Sequence, residues 1–154
     1  MTDDFIRVFE DESSGGYVDV HEQHNGPERS LNVETAIVLA QFGYQLLLLP
    51  VIDEPGVKNP DAFLVNEKKL IEFKHNTTPT PSAIDNEIRD AHRQAETVLI
   101  HIQSTIKAGN LLNGVKGRVR RSQNIKAIWL IWQSRLFIFS REQVFDGTID
   151  HKIQ

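Results

Sequence analysis

An α/β fold, with helices packed on a mixed central sheet, is the class this sequence predicts, and three observations predict it. From about residue 30 onward, strand-length apolar runs alternate with segments of helical apolar spacing. The 154 residues are 40% hydrophobic and 25% charged, the balance of a soluble globular chain of one domain, which excludes disorder, collagen and coiled coil. There is no cysteine, so an apolar core must carry the stability, and disulfides, thiolate-bound zinc and a thiol nucleophile are all excluded.

Residues 1–29 read as a polar, turn-rich arm, with SSGG at Ser13 to Gly16 and HNGPERS at His24 to Ser30. Its runs FIRVF and YVDV amount at most to edge strands, and the arm is expected to be loosely held. Residues 30–154 are expected to form one domain. A first helix begins at Ser30 or Asn32, either of which suits an N-cap, and carries Leu31, Val33, Ala36, Ile37, Ala40 and Phe42 at helical spacing before Gly43 stops it. Tyr44 to Val51 is a nearly continuous apolar run of the kind buried on both faces of a sheet. A loop marked by Pro55, Gly56 and Pro60 leads to two short runs, Ala62 to Val65 and Lys69 to Phe73, which the turn Asn66-Glu67-Lys68 folds into a hairpin.

A second helix, from Ser82 or Ile84 to Ala95, aligns Ile84, Ile88, Ala91 and Ala95 on one face. Thr97 to Ile102 is rich in β-branched residues and reads as a buried strand. A third helix spans about Leu111 to Arg121, weakened by Gly114 and Gly117. Ile125 to Trp132 and Leu136 to Phe139 complete the sheet around the turn Gln133-Ser134-Arg135.

The net charge of −4 hides a segregation. Met1 to Glu96 carries 18 acidic and 8 basic residues, whereas Thr97 to Arg141 carries 8 basic residues and no acidic one. That second stretch includes Lys116, Arg118, Arg120 and Arg121 and is a candidate surface for a polyanion, with a merely solvated basic face as the other reading. No run approaches the roughly 20 apolar residues of a membrane span, and the acidic start lacks the basic and apolar parts of a secretory signal. A soluble domain is expected, either free-standing or cut from a larger exported protein.

The stretch NPDAFLVNEKKLIEFKHN concentrates the chemistry. Asp61 heads one predicted strand, and Glu72 and Lys74 project from one face at the end of the next while Phe73 points to the other. A tight hairpin brings the start of its first strand beside the end of its second, so two carboxylates and an ammonium converge. Carboxylate oxygens suit a hard cation such as Mg2+, which lowers the pKa of bound water and stabilises charge on phosphate, and an adjacent lysine orients water or counters that charge. Like-charged carboxylates this close repel unless a cation lies between them.

Pro60-Asp61, a ten-residue gap and Glu72-Phe73-Lys74 resemble the PD-(D/E)xK nuclease motif, which implies a restriction-endonuclease-like mixed sheet flanked by helices. The resemblance implies Asp61 and Glu72 as ligands of Mg2+ or Mn2+, Lys74 as the catalytic lysine, and Glu34, in the first helix, as an additional metal ligand. From Glu34 to Ile131 the series ETAIVLAQFGYQLLLLP, NPDAFLV, LIEFKH, IDNEIRDAHRQAETVLIHI and IKAIWLIW is similar to the C-terminal tRNA nuclease domain of contact-dependent growth inhibition toxins. That likeness implies action in the cytoplasm of another bacterium, tRNA or other RNA as substrate, and a cognate immunity protein as partner. Many of those domains have Asp-x-Lys where this chain has Glu72-x-Lys74.

Gln94 matches the first residue of the Gln-x-x-x-Tyr pattern of related nucleases, although the fourth is Val98; it either meets the scissile phosphate or closes the helix. His75, Thr77 and Thr78 stand where substrate would pass, with ordinary surface roles as the alternative, and Asn59 shapes either the site or its turn. His21 and His24, with Glu22 between them, are spaced for a metal but have no helix to fix them and no third ligand placed nearby for zinc. Trp129 and Trp132 read as core, and Gly109, Gly114 and Gly117 do not make a P-loop. Two other functions share this reading: a DNA endonuclease of restriction or repair type with the same site, and a non-catalytic nucleic-acid or protein-binding module.

Overall fold

The computed structural model describes residues 4–154, and its contacts divide between residue 71 and residue 72. In the first unit, residues of the arm form β1 (Phe5–Glu10) and β2 (Tyr17–His21), which pair antiparallel. Of these two strands only β1 is an edge strand. β2 also pairs in parallel with β3 (Gln45–Leu48) and buries Val18 and Val20, so this part of the arm is an interior strand of its ladder.

The crossover between β2 and β3 is α1 (Arg29–Gln41), with Gly43 beyond it at φ +100°. Neither Ser30 nor Asn32 caps it, because the helix starts earlier, after Glu28. Its buried stripe is Asn32, Thr35, Ala36, Leu39 and Ala40, while Leu31 and Phe42 are exposed. That stripe keeps helical spacing but opens with two polar residues, so reading apolar side chains alone turns the face. Gly16 lies against the end of α1, where a Cβ would stand 1.8 Å from the Ala40 carbonyl oxygen.

β3 pairs antiparallel with β4 (Ala62–Leu64), and β4 with β5 (Lys69–Asn76). The expected hairpin forms, its turn closed by Lys68 at φ +55°. β3 is shorter than the apolar run suggests and alternates buried Leu46 and Leu48 with half-buried Gln45 and Leu47.

The later residues of β5 belong to the second unit, where Glu72 to Asn76 pair in parallel with β6 (Thr97–Ile102). β6 pairs in parallel with β7 (Ala127–Trp132), and β7 antiparallel with β8 (Arg135–Ser140) through a turn whose Gln133 and Ser134 both have positive φ, as a type I′ hairpin requires. The parallel crossovers are α2 (Pro81–Ala91) and α3 (Ala108–Arg121). Thr80 caps α2, its hydroxyl accepting from the Ala83 N–H at 3.2 Å with Pro81 at the first helical position.

Ile84 and Ile88 of α2 and Leu111, Val115 and Val119 of α3 cover Val98, Ile100, Ile128 and Leu130 of the strands in one continuous apolar core. Fully burying each such side chain contributes about 1.5–3 kcal/mol. Gly114 is what lets the helices close: a Cβ there would meet Ile84 Cβ at 2.6 Å and the Pro81 carbonyl at 2.8 Å. Two five-residue helices, α4 (Arg141–Phe145) and α5 (Thr148–Lys152), finish the chain and are too short to show periodicity in sequence. Among the described residues no helix is long and apolar enough to cross a membrane.

Candidate active site

Asp61 immediately precedes β4, whose first residue, Ala62, pairs with Ile71. Its main-chain carbonyl accepts from the Leu49 N–H at 3.0 Å, and its carboxylate Oδ1 accepts from Asn32 Nδ2 at 3.2 Å. Asn32 also lies 3.3 Å from Nε2 of buried His24, whose Nδ1 is 2.6 Å from the Leu49 carbonyl. A carbonyl only accepts, so the ring proton sits on Nδ1 and Nε2 takes the Asn32 amide hydrogen. The amide therefore bridges imidazole and carboxylate. These groups line a pocket of about 300 Å³ with Arg29 and Val51.

From α1, Asn32 thus donates to Asp61. Glu34 follows by two positions, about 200° around the helix, and is exposed. Among the described residues no three His, Cys, Asp or Glu side chains gather into a group able to hold a metal ion. His21 and His24 spend their ring nitrogens elsewhere: His21 Nδ1 accepts from the Gln23 N–H and its Nε2 lies 3.7 Å from Asp4. Asn59 ties the preceding loop, bonding both the N–H and the carbonyl of Ile52.

On β5, Glu72 follows Ile71 and is buried, Lys74 is half-buried, and Asn76 is fully buried. Alternation puts these three on one face, the face that also carries Val98 and Ile100 of the neighbouring strand and is covered by α2 and α3. His75 is on the other face, 6.3 Å between ring centroids from His101. Thr77 and Thr78 are exposed, and Gln94 is half-buried in the turn after α2, its N–H bonded to the Ala91 carbonyl.

Two residues of this face escaped the sequence reading. Asn76 donates through Nδ2 to the Thr78 carbonyl at 3.0 Å and to both carboxylate oxygens of Glu87 at 3.2 Å, while its Oδ1 accepts from the Ser104 hydroxyl at 2.5 Å. Burial pushes the Glu87 carboxyl up to about 7, against the opposing pull of Asn76 and of the Lys74 ammonium. The signal was legible: Glu87 lies three residues after Ile84 and four before Ala91, in the apolar stripe of α2.

The cations expected to grip phosphate are partly engaged within the second unit. Arg118 and Arg121 both bind Asp85 of α2, at 2.9 and 2.5 Å, Lys116 pairs with Asp150, and the Arg120 guanidinium lies 5.7 Å from the centre of the Phe145 ring. Arg141 donates to the Val119, Ser122 and Ile125 carbonyls and so satisfies the end of α3.

No protein-family model matches the chain, and no curated protein does. A chain of the CdiA-CT/CdiI toxin and immunity complex from Burkholderia pseudomallei is similar in structure, with a TM-score of 0.53 and 16% sequence identity over 73% of this chain and 84% of that one. At that identity the likeness is one of fold, and the fold is the mixed α/β class expected.

Proposed function

We propose that this chain is a metal-dependent nuclease of the PD-(D/E)xK type that acts as a toxin effector domain on tRNA or other RNA. The observation that carries the reading is the register of the β4–β5 hairpin: Ala62 pairs with Ile71, so Pro60-Asp61 directly precedes one member of that pair and Glu72-Phe73-Lys74 directly follows the other. The structural likeness to a chain of a toxin and immunity complex supports the toxin role and, with it, a cognate immunity protein as partner and delivery into the cytoplasm of another cell.

The donor set fits a small hard cation. Mg2+ is commonly held by one or two carboxylates with water completing its shell, and Asp61 and Glu72 are two such carboxylates, neither needing a third protein ligand. When bound, the cation supplies charge neutralisation at the phosphate and an acidified water. Asn32 fixes the Asp61 carboxylate, Phe73 anchors β5 in the core between the two functional side chains, and Lys74 presents a cation to the phosphate. Substrate contacts are assigned to Gln94, His75 and the basic residues Lys116, Arg118, Arg120 and Arg121, the arginines on Asp85 being held in place by it.

The test is cleavage of total tRNA, plasmid DNA and single-stranded DNA by wild type, Asp61→Ala, Lys74→Ala and Glu34→Ala, each with Mg2+ and with chelator. Wild type should cut tRNA only with metal, and loss of Asp61 or Lys74 should lower the rate by roughly 10²–10³, the size of one lost transition-state contact. Loss of activity in Glu34→Ala would show that α1 adds a third carboxylate. Cutting of plasmid alone moves the substrate to DNA, and no cutting under any condition ends the enzyme reading.

A further inference from the structure

We propose that His24 is a positioning residue: through the Asn32 amide it sets the direction of the Asp61 carboxylate, the group that the nuclease reading assigns to the cation. The consequence rests on that reading, and the geometry does not. Four residues close a ring of hydrogen bonds. His24 Nδ1 donates to the Leu49 carbonyl at 2.6 Å, and the Leu49 N–H donates to the Asp61 main-chain carbonyl at 3.0 Å. On the other side, Asn32 Nδ2 lies 3.3 Å from His24 Nε2 and 3.2 Å from Asp61 Oδ1. One route from the imidazole therefore reaches the main chain of Asp61, and the other reaches its carboxylate.

The orientation of the amide follows from its neighbours. Because the Leu49 carbonyl only accepts, Nδ1 carries the ring proton and Nε2 offers a lone pair, and Asp61 Oδ1 is an acceptor as well. Turned over, the amide would set its own oxygen against that lone pair and the carboxylate. As it stands, Nδ2 has two hydrogens and meets two acceptors. A single bond to Asp61 would let the amide swing about it; the second bond, to a ring that is itself fixed, removes that freedom. The ring is fixed because His24 is 3% exposed, its N–H bonds the His21 carbonyl at 2.9 Å, and its own carbonyl accepts from Arg29 at 2.8 Å. Asn32 is buried to the same degree. Outer hydrogen bonds of this kind hold a ligating oxygen in one place, and losing one typically costs about 10–100-fold in metal affinity or activity.

The test uses the full chain as wild type, His24→Phe, which keeps a planar ring without either nitrogen, His24→Gln, which still offers a donor and an acceptor, Asn32→Leu, and the double variant His24→Phe with Asn32→Leu. Without metal or RNA, nitrogen NMR should find the proton of the neutral His24 ring on Nδ1. The Asn32 side-chain amide hydrogens should exchange about tenfold faster in His24→Phe than in wild type. A wild-type proton on Nε2, or unchanged exchange in His24→Phe, overturns the proposal. With total tRNA and Mg2+, kcat of His24→Phe and of Asn32→Leu should each fall about 10–100-fold with KM little changed. The double variant should fall no further than the worse single one, and His24→Gln should recover most of the loss. Losses that multiply in the double variant overturn the route through Asn32. Should His24→Phe not fold, Asn32→Leu carries the test, and an undiminished kcat there overturns the proposal. Full activity in His24→Phe beside an inactive Asp61→Ala overturns the positioning role while leaving the nuclease reading intact. Faster Asn32 exchange in His24→Phe, from a chain whose wild type cuts nothing, supports the hold on Asp61 and removes the nuclease reading instead.

Discussion

The two units are built on different balances of charge and core. Residues 1–71 hold 13 acidic and 5 basic residues; residues 72–154 hold 8 acidic and 12 basic ones. The second unit has a continuous apolar core in which β7, an interior strand with β6 parallel to it and β8 antiparallel, is buried along its whole length. The first unit relies on mostly antiparallel pairing and one helix, and leaves Ile6, Val8, Phe42 and Ile52 exposed. Polar groups follow the same division. Asp61 is held by the Asn32 amide, which also meets an imidazole, whereas Asn76 holds the Glu87 carboxyl, which burial keeps from ionising easily. The contrast teaches that core building and the handling of charge were solved separately in the two units.

Glycine variants should break the comparison most strongly. Gly16→Ala drives a methyl into the Ala40 backbone and should cost about 3 kcal/mol, with early loss of amide protection in residues 4–71; Gly114→Ala meets the more adaptable Ile84 side chain as well as the Pro81 carbonyl and should cost about 1–3 kcal/mol, with loss beginning in α2 and α3. Hydrogen exchange read by mass spectrometry separates the two patterns. Simultaneous loss in both units from either variant would show that they unfold together.

Arg141→Ala comes next. It strips three carbonyls of a charged donor at the end of α3 and should lower unfolding free energy by about 1.5–3 kcal/mol in urea titration, without a change in salt dependence of RNA binding if this arginine is structural.

The smallest effect expected is Glu87→Gln on stability. The folded carboxyl titrates at about 7 against an ordinary 4.5, so the folded state holds its proton more tightly than the unfolded one. Its cost is absent below about 4.5, grows as pH rises through that window and is complete above 7. Removing the charge should therefore stabilise at pH 8 by about 1 kcal/mol, the figure being reduced because the group is partly solvated, and should give no gain at pH 4. Unfolding titrations at the two pH values check the sign.

Particular residues show how far sequence reading reaches. The β4–β5 hairpin was legible because its turn and its apolar alternation are local, and β6 and the β7–β8 hairpin were legible for the same reason. The burial of β2 was not, since Val18 and Val20 are covered only once β3 returns alongside them. On α1 the eye follows Leu31 and Phe42, yet the buried stripe passes through Asn32 and Thr35, and Asn32 is tolerated inside because it finds polar partners in His24 and Asp61.

By itself, then, the sequence determined the α/β class, most of the strands and helices, and the placing of Asp61, Glu72 and Lys74 about one hairpin, because periodicity, turn residues and strand alternation act within a few positions. Only the tertiary structure decided that Asn32 donates to Asp61, that Asn76 binds Glu87, and that Arg118 and Arg121 share Asp85. Those choices depend on which elements pack together, and the partners of a charge or an amide are 11 to 36 residues away along the chain, beyond the reach of any local pattern.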